Sequence, residues 1–244
     1  MATALREFRG ISASWPSLRE SVQRYLNGID RFVDPDDAAI QVVHACVPAP
    51  IFEDRLSSKQ LQARETTKAL LDLVVATIND GRLDGYWMQG SGFNYHAGLD
   101  YCQVELAGRR VSQAVRITSA GAVLMRERWT DRVGYPYGRF QRLLEATIAL
   151  SQRAFARFKI DPEWIAIQST FHHARNLPLG IVTDFGTYFY SPRVEDLDSY
   201  AVPAQPLLQR SADFLASSET ADLLAKELRT FFGRESTKTT GIVN

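Results

Sequence analysis

Cysteine is scarce in this sequence, which limits its redox and metal chemistry. Cys46 and Cys102 are the only two cysteines in 244 residues, and both lie in apolar, strand-like runs. They lack the spacing of a structural zinc site, which needs four close Cys or His ligands. We therefore expect two buried, reduced thiols rather than a disulfide, and we predict neither a bound metal nor a cofactor.

Long hydrophobic runs and an excess of charge are missing as well. No apolar stretch approaches the roughly 18 residues of a membrane span, and the first ten residues lack the apolar core of a signal peptide. The 28 basic and 28 acidic residues cancel, so no global field attracts nucleic acid, a membrane or an acidic substrate. These absences predict a cytoplasmic protein without a membrane partner, in which nucleic-acid binding would need a local patch.

The composition is that of an ordinary globular protein, with 45% hydrophobic and 23% charged residues. A chain of this length can bury a core without metal or disulfide staples. It shows no internal repeat and no low-complexity tract. We predict a single α+β domain with an N-terminal helical segment over 1–37, an α+β core over 38–233 and a flexible tail over 234–244.

Apolar residues recur at helical spacing in five segments. The first begins with a capping box formed by Ser17 and Glu20, and the longest begins at Pro136. The helix that ends at Asn79 is apolar nearly all round, which favours packing against a sheet. The predicted helices cover 17–33, 57–79, 136–159, 207–216 and 220–232.

Short runs rich in β-branched residues predict strands at eight places. Gly108 and Gly121 separate three closely spaced runs, a pattern typical of an antiparallel meander. The predicted strands cover 38–47 (closed by Pro48 and Pro50), 83–89, 99–107, 110–119, 122–129, 164–171, 179–183 and 187–190. Residues 203–206 carry two prolines, and we interpret them as a turn rather than a hinge. The fold class is therefore a mostly antiparallel sheet packed by a long amphipathic helix and flanking helices.

Two histidine-containing segments are candidates for chemistry. His172 and His173 are adjacent at a predicted strand end and point to opposite faces, so they cannot easily hold one metal. One of them could act as a base, with Arg175 as an anion clamp, although a plain strand-end pair is the simpler interpretation. The glycine-containing segment 90–96 ends in His96, lacks the lysine of a phosphate loop, and is predicted to be a hairpin loop.

Four arginines on the long predicted helix form a candidate anion-binding ridge. At about 100° per residue, Arg139, Arg142, Arg153 and Arg157 fall within an arc of about 60°. Arginine suits contact with phosphate or carboxylate because its donors form a planar fork. The alternative is a solvated helix face whose arginines pair with acids elsewhere in the fold.

Two acidic clusters are interpreted as solvated loops rather than as metal sites. They comprise Asp34, Asp36 and Asp37 in the first cluster, and Glu195, Asp196 and Asp198 in the second. A metal-dependent nuclease would need carboxylates that converge from separate elements. The chain also lacks the G-x-S-x-G elbow of a serine hydrolase.

Two stretches carry a family resemblance. LDGYWMQGSG with LDYCQVELAGRRV, and PEWIAIQSTFHHARNLPLGIV continuing to YFYSPRVEDLD, resemble the region that follows the Schlafen-AlbA nucleic-acid-binding domain in bacterial regulators and defence-type proteins. The resemblance spans residues 38–215 in the order and type of elements. The Schlafen-AlbA domain itself is absent, so its nucleic-acid or nucleotide chemistry transfers to no residue here. The resemblance implies an accessory domain that senses a ligand or docks a protein partner.

Three functions follow as hypotheses. The leading one is a non-catalytic, cytoplasmic accessory, sensing or protein-interaction domain of a bacterial regulatory or defence system. The second is a hydrolase or nuclease, which would require His96, His172, His173 and Arg175 to converge in one cleft. The third is nucleic-acid binding through the four arginines of the long helix.

Overall fold

The fold is built on a seven-stranded antiparallel sheet, which confirms the predicted α+β class with a mostly antiparallel sheet. The computed structural model describes residues 15–28, 32–33, 39–52, 54–80, 93–106, 111–130, 134–175, 177–183, 186–190, 198–211 and 217–231. Its strands are β1 Ile40–Ala49, β2 Phe93–Ala97, β3 Tyr101–Leu106, β4 Val111–Thr118, β5 Val123–Trp129, β6 Tyr135–Pro136, β7 Trp164–His172, β8 Leu179–Thr183, β9 Gly186–Tyr190 and β10 Tyr200–Arg210. Its helices are α1 Trp15–Asn27, α2 Ser58–Leu61, α3 Arg64–Asn79, α4 Tyr137–Phe158 and α5 Ser217–Phe231.

The strand order in the large sheet is β10-β7-β1-β5-β4-β3-β2. Strands β3 to β5 form the antiparallel meander that the three closely spaced runs predict, β2 extends it by pairing with β3, and β1 lies between β5 and β7. Strands β6, β8 and β9 form a separate three-stranded sheet. Because β2 and β10 are the two ends of the large sheet, residues on these strands are far apart.

The two faces of the large sheet pack against different helices. Alternate residues of β1 separate the two cores: Val42 and Cys46 face one side, and Val43 and Ala45 face the other. Helices α3, α4 and α5 pack on the first side, called here the helix face. Helix α1 packs on the second, called here the α1 face, through Leu18, Val22 and Leu26.

Helix α1 crosses the α1 face from β10 towards β4. Near its start, Arg19 donates to Gln205 on β10 over 3.1 Å, and near its end Tyr25 pairs with Thr118 on β4 over 2.7 Å. The helix begins at Trp15, so Ser17 lies inside it instead of capping it, and it ends at Asn27 instead of reaching residue 33. Both boundary predictions were wrong. The position where α1 ends matters because the sheet beyond it carries the polar side chains described below.

The other local predictions were confirmed for α4, β1, β3, β4, β5, β7, β8 and β9 to within two residues, and α5 begins three residues earlier than predicted. The helix predicted over 57–79 is split into α2 and α3, and a capping box between Ser57 and Gln60 starts α2. Strand β1 continues through Pro48, which was predicted to end it. Proline is tolerated there because the β1–β5 ladder stops at Cys46, so Pro48 pairs with β7 alone.

The helix predicted over 207–216 was wrong, because Leu207 to Arg210 belong to edge strand β10. Pairing of Leu207 with Ile167 on β7 overrides the local helical pattern. Residues 203–206, predicted to be a turn, lie inside the same strand, where the register with β7 shifts between Val202 and Leu207. Prolines are compatible with such an irregularity at a sheet edge.

The segment predicted as a hairpin loop over 90–96 is partly strand, because β2 begins at Phe93. The turn that follows is at Gly98, whose amide donates to the carbonyl of Tyr101 over 2.8 Å. A Cβ on Gly98 would stand 2.6 Å from the Tyr101 ring, so only glycine lets this ring fold back over the turn. The strand predicted over 83–89, Gly108 and residues 90–92 lie outside the described residues.

Both cysteines are free and buried, as predicted. Burial raises the pKa of the Cys46 thiol to about 12, although a hydrogen bond with Ser151 opposes the shift. A thiol with such a pKa stays protonated and unreactive at neutral pH. Among the described helices, none is both long and apolar enough to cross a membrane.

Candidate functional site

His172 and His173 lie at the end of β7, each with its own partners. His172 pairs with the hydroxyls of Thr170 and Ser199, over 3.0 and 3.4 Å. His173 adopts a left-handed backbone (φ 55°) and its Nδ1 lies 3.5 Å from an Asp198 carboxylate oxygen. Arg175 is exposed two residues further on. The two rings therefore interact with different groups, as opposite orientation in a strand predicts.

His96 does not join this pair. It lies on β2, which is five strands away from β7 in the sheet order. At about 4.8 Å per strand, the separation is about 24 Å. His96 is half exposed, and its Nε2 lies 4.0 Å from Glu105 on β3. The convergence of His96 with His172 and His173 that a shared catalytic cleft requires is not observed.

The four arginines of α4 do not form one exposed ridge. Arg139 is 6% exposed and forms an ion pair with Glu127 on β5. Arg153 pairs with Asp80 at the end of α3, whereas Arg142 and Arg157 are exposed. The first turn of α4 packs against the sheet, so an arginine there faces the core even though its helical angle matches that of Arg157.

The acidic clusters contribute one described residue, Asp198, which faces His173. The remaining members at 34, 36, 37, 195 and 196 lie outside the described residues. Within the part of the chain that the structure describes, no three His, Cys, Asp or Glu side chains come together as metal ligands.

A buried polar cluster surrounds Glu127 on the helix face. Its carboxylate accepts hydrogen bonds from Arg139, from the Tyr135 hydroxyl over 2.8 Å and from Gln113 over 3.5 Å. Burial raises the pKa of Glu127, and the positive charge and hydrogen bonds of its neighbours oppose the shift. Because Glu127 is fully buried and surrounded by donors, this cluster joins α4 to the sheet.

A cleft opens on the α1 face where α1 ends. It has a volume of about 450 Å³, within the roughly 300–1,000 Å³ typical of small-molecule sites. Its walls come from the last turn of α1, from Phe32, from the turn before β3 and from β4. The lining includes Arg24, Tyr25, Phe32, Asp100, Tyr101 and Arg116.

Arg116 is the best-positioned polar side chain of the cleft. The β3–β4 register places it opposite Gln103, whose side-chain oxygen accepts from both Nε and Nη2, over 3.0 and 2.8 Å. Its guanidinium carbon also lies 4.0 Å from the Tyr101 ring centroid and 4.3 Å from that of Phe32. Two aromatic rings and one amide therefore hold the guanidinium in a single orientation.

Phe32 is itself anchored by charged groups. Arg126 donates to the Phe32 carbonyl over 2.9 Å and to Glu105 over 3.2 Å. Arg126 on β5 and Glu105 on β3 both lie opposite Ala114 on β4, and this small side chain lets them meet across it. Arg126 is thus neutralised by a carboxylate.

Among the described residues, no ion pair balances the charge of Arg116. Its hydrogen-bond acceptor is a neutral amide, and no carboxylate of the described residues lies within ion-pair distance of it. Burial lowers the pKa of Arg116, and Arg126 adds to the shift, while Tyr101 and Asp100 oppose it. Arginine remains protonated even so, which leaves a partly buried cation in the cleft wall.

Sequence reasoning missed this cleft. Arg116 lies in the strand predicted over 110–119 and was not singled out as a candidate site residue. The alternation of Gln103 and Glu105 with apolar residues was a usable signal, because Arg116 alternates in the same way on the next strand. The contribution of Phe32 to the cleft could not have been predicted from the sequence, because its position depends on the path of the chain beyond α1.

Two comparisons with known proteins found no match for this chain. No protein-family model matches the chain, and no significantly similar curated protein was found.

Proposed function

We propose that this chain is a non-catalytic accessory or sensing domain that binds a small ligand in the cleft at the end of α1. The observation that carries the proposal is the state of Arg116, a rigid and partly buried cation without an ion-pair partner among the described residues. A fixed guanidinium loses little conformational freedom when a ligand binds, so its interaction contributes fully to affinity. Arg24, exposed on the last turn of α1, contributes a second positive charge to the same cleft.

The resemblance to the region that follows Schlafen-AlbA domains supports a setting for this activity. In that setting the domain acts in the cytoplasm, in a bacterial regulatory or defence system, and passes the ligand signal to a protein partner. A pull-down from host lysate with and without nuclease tests this part of the proposal. A stoichiometric protein that survives nuclease treatment supports it, and recovery of nucleic acid alone contradicts it.

The accessory function is favoured over the two alternatives on geometric grounds. A hydrolase or nuclease that uses His96 with His172 and His173 needs these side chains in one cleft, and about 24 Å separates their strands. Nucleic-acid binding along α4 needs four available arginines, and Arg139 and Arg153 are already paired with carboxylates.

Binding in the cleft can be tested by blocking it. A Cβ at Gly28, which lines the cleft, would have no heavy atom within 4 Å, so Gly28→Trp adds a bulky ring at the mouth without a clash at Cβ. Gly138 is equally open but lies on α4, and Gly138→Trp is the matched control. In a ligand-observed NMR screen of anionic, cationic and neutral metabolites, we expect hits that Gly28→Trp abolishes and Gly138→Trp retains.

Two results would contradict the proposal. One is a screen in which no compound binds in a manner that Gly28→Trp removes. The other is turnover of nucleotides or nucleic acid that disappears in His173→Ala, because this outcome would make the strand-end histidine a catalytic residue.

A further inference from the structure

The hydrogen-bonding capacity of Arg116 indicates the chemistry of the group that it would bind. A guanidinium carries five N–H donors. Gln103 takes one from Nε and one from Nη2, and no other acceptor for Arg116 is present among the described residues. The remaining three hydrogens lie on Nη1 and on the other side of Nη2. Two of them, one on Nη1 and one on Nη2, form the end-on fork of the guanidinium, which matches two oxygens of one oxyanion.

The two arginines that line the cleft favour a phosphate ligand over a carboxylate ligand. Arg24 and Arg116 line the cleft with Asp100 as the one described carboxylate in its wall. Neither arginine forms an ion pair with another described residue. A carboxylate would occupy a single fork and carries one negative charge. A phosphate monoester carries about −1.5 to −2 at neutral pH and three terminal oxygens, so it can engage both arginines at once.

The other cleft residues suit a polar organic group attached to this phosphate. Asp100 is exposed at the rim and can accept hydrogen bonds from hydroxyls, as acidic residues do in ribose recognition. Ser119 supplies a neutral hydroxyl, and Tyr25 and Tyr101 supply aromatic surface. The volume of about 450 Å³ leaves room for more than a bare anion.

We infer that the cleft binds a phosphorylated small metabolite, with its phosphate monoester held between Arg116 and Arg24. This inference depends on the proposed function, because it specifies the ligand class of the same cleft. Gln103, Tyr101 and Phe32 are positioning residues, since they hold the Arg116 fork without themselves contacting the phosphate.

Calorimetric titration of the full chain at low salt tests the inference. The probes are inorganic phosphate, ribose 5-phosphate and adenosine 5′-monophosphate, each compared with ribose, adenosine and succinate. We expect the phosphorylated probes alone to bind. Arg116→Lys keeps the charge but loses the fork, and it should weaken binding roughly 10- to 100-fold. Arg24→Gln, at an exposed position that does not threaten folding, should weaken binding less, by about threefold to tenfold.

A matched arginine provides the control. Arg157 is exposed near the end of α4, on the other face of the sheet, and Arg157→Gln should leave binding unchanged. Circular dichroism of every variant establishes that the fold is retained. If Arg116→Lys were unfolded, Arg24→Gln and Gly28→Trp would still decide the question.

The possible results test the class of ligand separately from the location of its binding site. Equal affinity for all phosphorylated probes supports recognition of the phosphate alone, and tighter binding of one ester identifies the organic group that the cleft prefers. Binding of succinate as tightly as the esters, or binding of a neutral compound that Gly28→Trp removes, overturns the phosphate inference and leaves the proposed function standing. Phosphate binding unaffected by Arg24→Gln, Arg116→Lys and Gly28→Trp overturns the inference. Absence of any ligand sensitive to Gly28→Trp overturns both.

Discussion

The two faces of the large sheet surround their buried or partly buried arginines with different partners. On the helix face, Arg139 meets the fully buried carboxylate of Glu127. On the α1 face, Arg116 meets two aromatic rings and the neutral amide of Gln103. Arg139 is buried and Arg116 is partly buried, but only Arg139 has its charge compensated within the described residues.

The difference follows from the depth of packing on each face. Helices α3, α4 and α5 cover the helix face, and a charge buried beneath them would be costly without a partner. The cleft at the end of α1 keeps contact with water, so a cation there can remain without a carboxylate. An arginine with a protein partner therefore stabilises the fold, whereas one held rigid without such a partner remains available to a ligand.

The largest expected effect comes from breaking the buried pair. Glu127→Ala leaves Arg139 charged and unpaired under α4, and it should reduce the free energy of unfolding by about 3–5 kcal/mol. Urea denaturation followed by circular dichroism measures this change. In the double variant Glu127→Leu with Arg139→Met no charge is orphaned, so much of the stability should return. A loss below about 1 kcal/mol in Glu127→Ala would contradict the assigned role of the pair.

The helix face should also respond to acid through His44. Burial lowers the pKa of His44 from its ordinary 6.5 to about 3, and its ring lies between Ser169 and Phe140. The unfolded chain binds a proton at this residue below pH 6.5, and the folded chain does so only near pH 3. The stabilising contribution is therefore present above pH 6.5 and is lost as pH falls towards 3.

Between pH 7 and pH 5 this histidine should reduce the free energy of unfolding by about 2 kcal/mol. The comparison is with His44→Asn, which cannot titrate and keeps a polar atom near Ser169. Urea unfolding of both proteins at the two pH values isolates the contribution of His44 to the pH dependence, because the two proteins have the same carboxylates. Identical pH dependence in the two proteins would show that His44 is not kept neutral by burial.

Removing the arginine of the α1 face should cost less than breaking the buried pair. Arg116→Met loses two cation–π contacts and the hydrogen bonds to Gln103, for an expected loss of about 1–2 kcal/mol. No buried charge is orphaned, because the acceptor is a neutral amide. Thermal and urea denaturation without ligand provide the measurement. A loss as large as that of Glu127→Ala would remove the distinction between the two faces.

The smallest effect is expected at the surface pair on α4. Arg153 and Asp80 have side chains that are 34% and 43% exposed, so water and salt screen their attraction. Asp80→Asn should reduce the free energy of unfolding by about 0.2–1 kcal/mol, and the difference should shrink at high salt. An effect that is larger or independent of salt would indicate that this pair behaves like the buried one.

The sequence predicted the local elements well where a periodic pattern ran uninterrupted. Helix α4 and strands β4, β5, β7 and β8 were each located to within one residue, because one apolar face or one apolar run defines each of them. It failed for β10, where Leu207 and Leu208 follow two prolines and fit a helix locally. Their pairing with β7 decides the outcome, and this contact joins segments about forty residues apart.

The partners of the charged side chains could be predicted only in part. Helical angles grouped Arg139 with Arg157 correctly, but angle alone does not reveal that the first turn of α4 faces the sheet. A signal was present on β5, where Glu127 lies at two-residue spacing from Val123, Met125 and Trp129, on the same face of the strand, and so had to be buried with a partner. The identity of that partner required the tertiary structure.

By itself, the sequence determined the α+β class, the meander, the long amphipathic helix and the two buried thiols. These depend on composition and on periods of two or 3.6 residues, which act over short distances along the chain. Only the tertiary structure decided the strand order, the separation of His96 from His172 and His173, and the cleft around Arg116. Each of these depends on which distant segments meet, because whether an arginine is paired or available is determined by its neighbours in space.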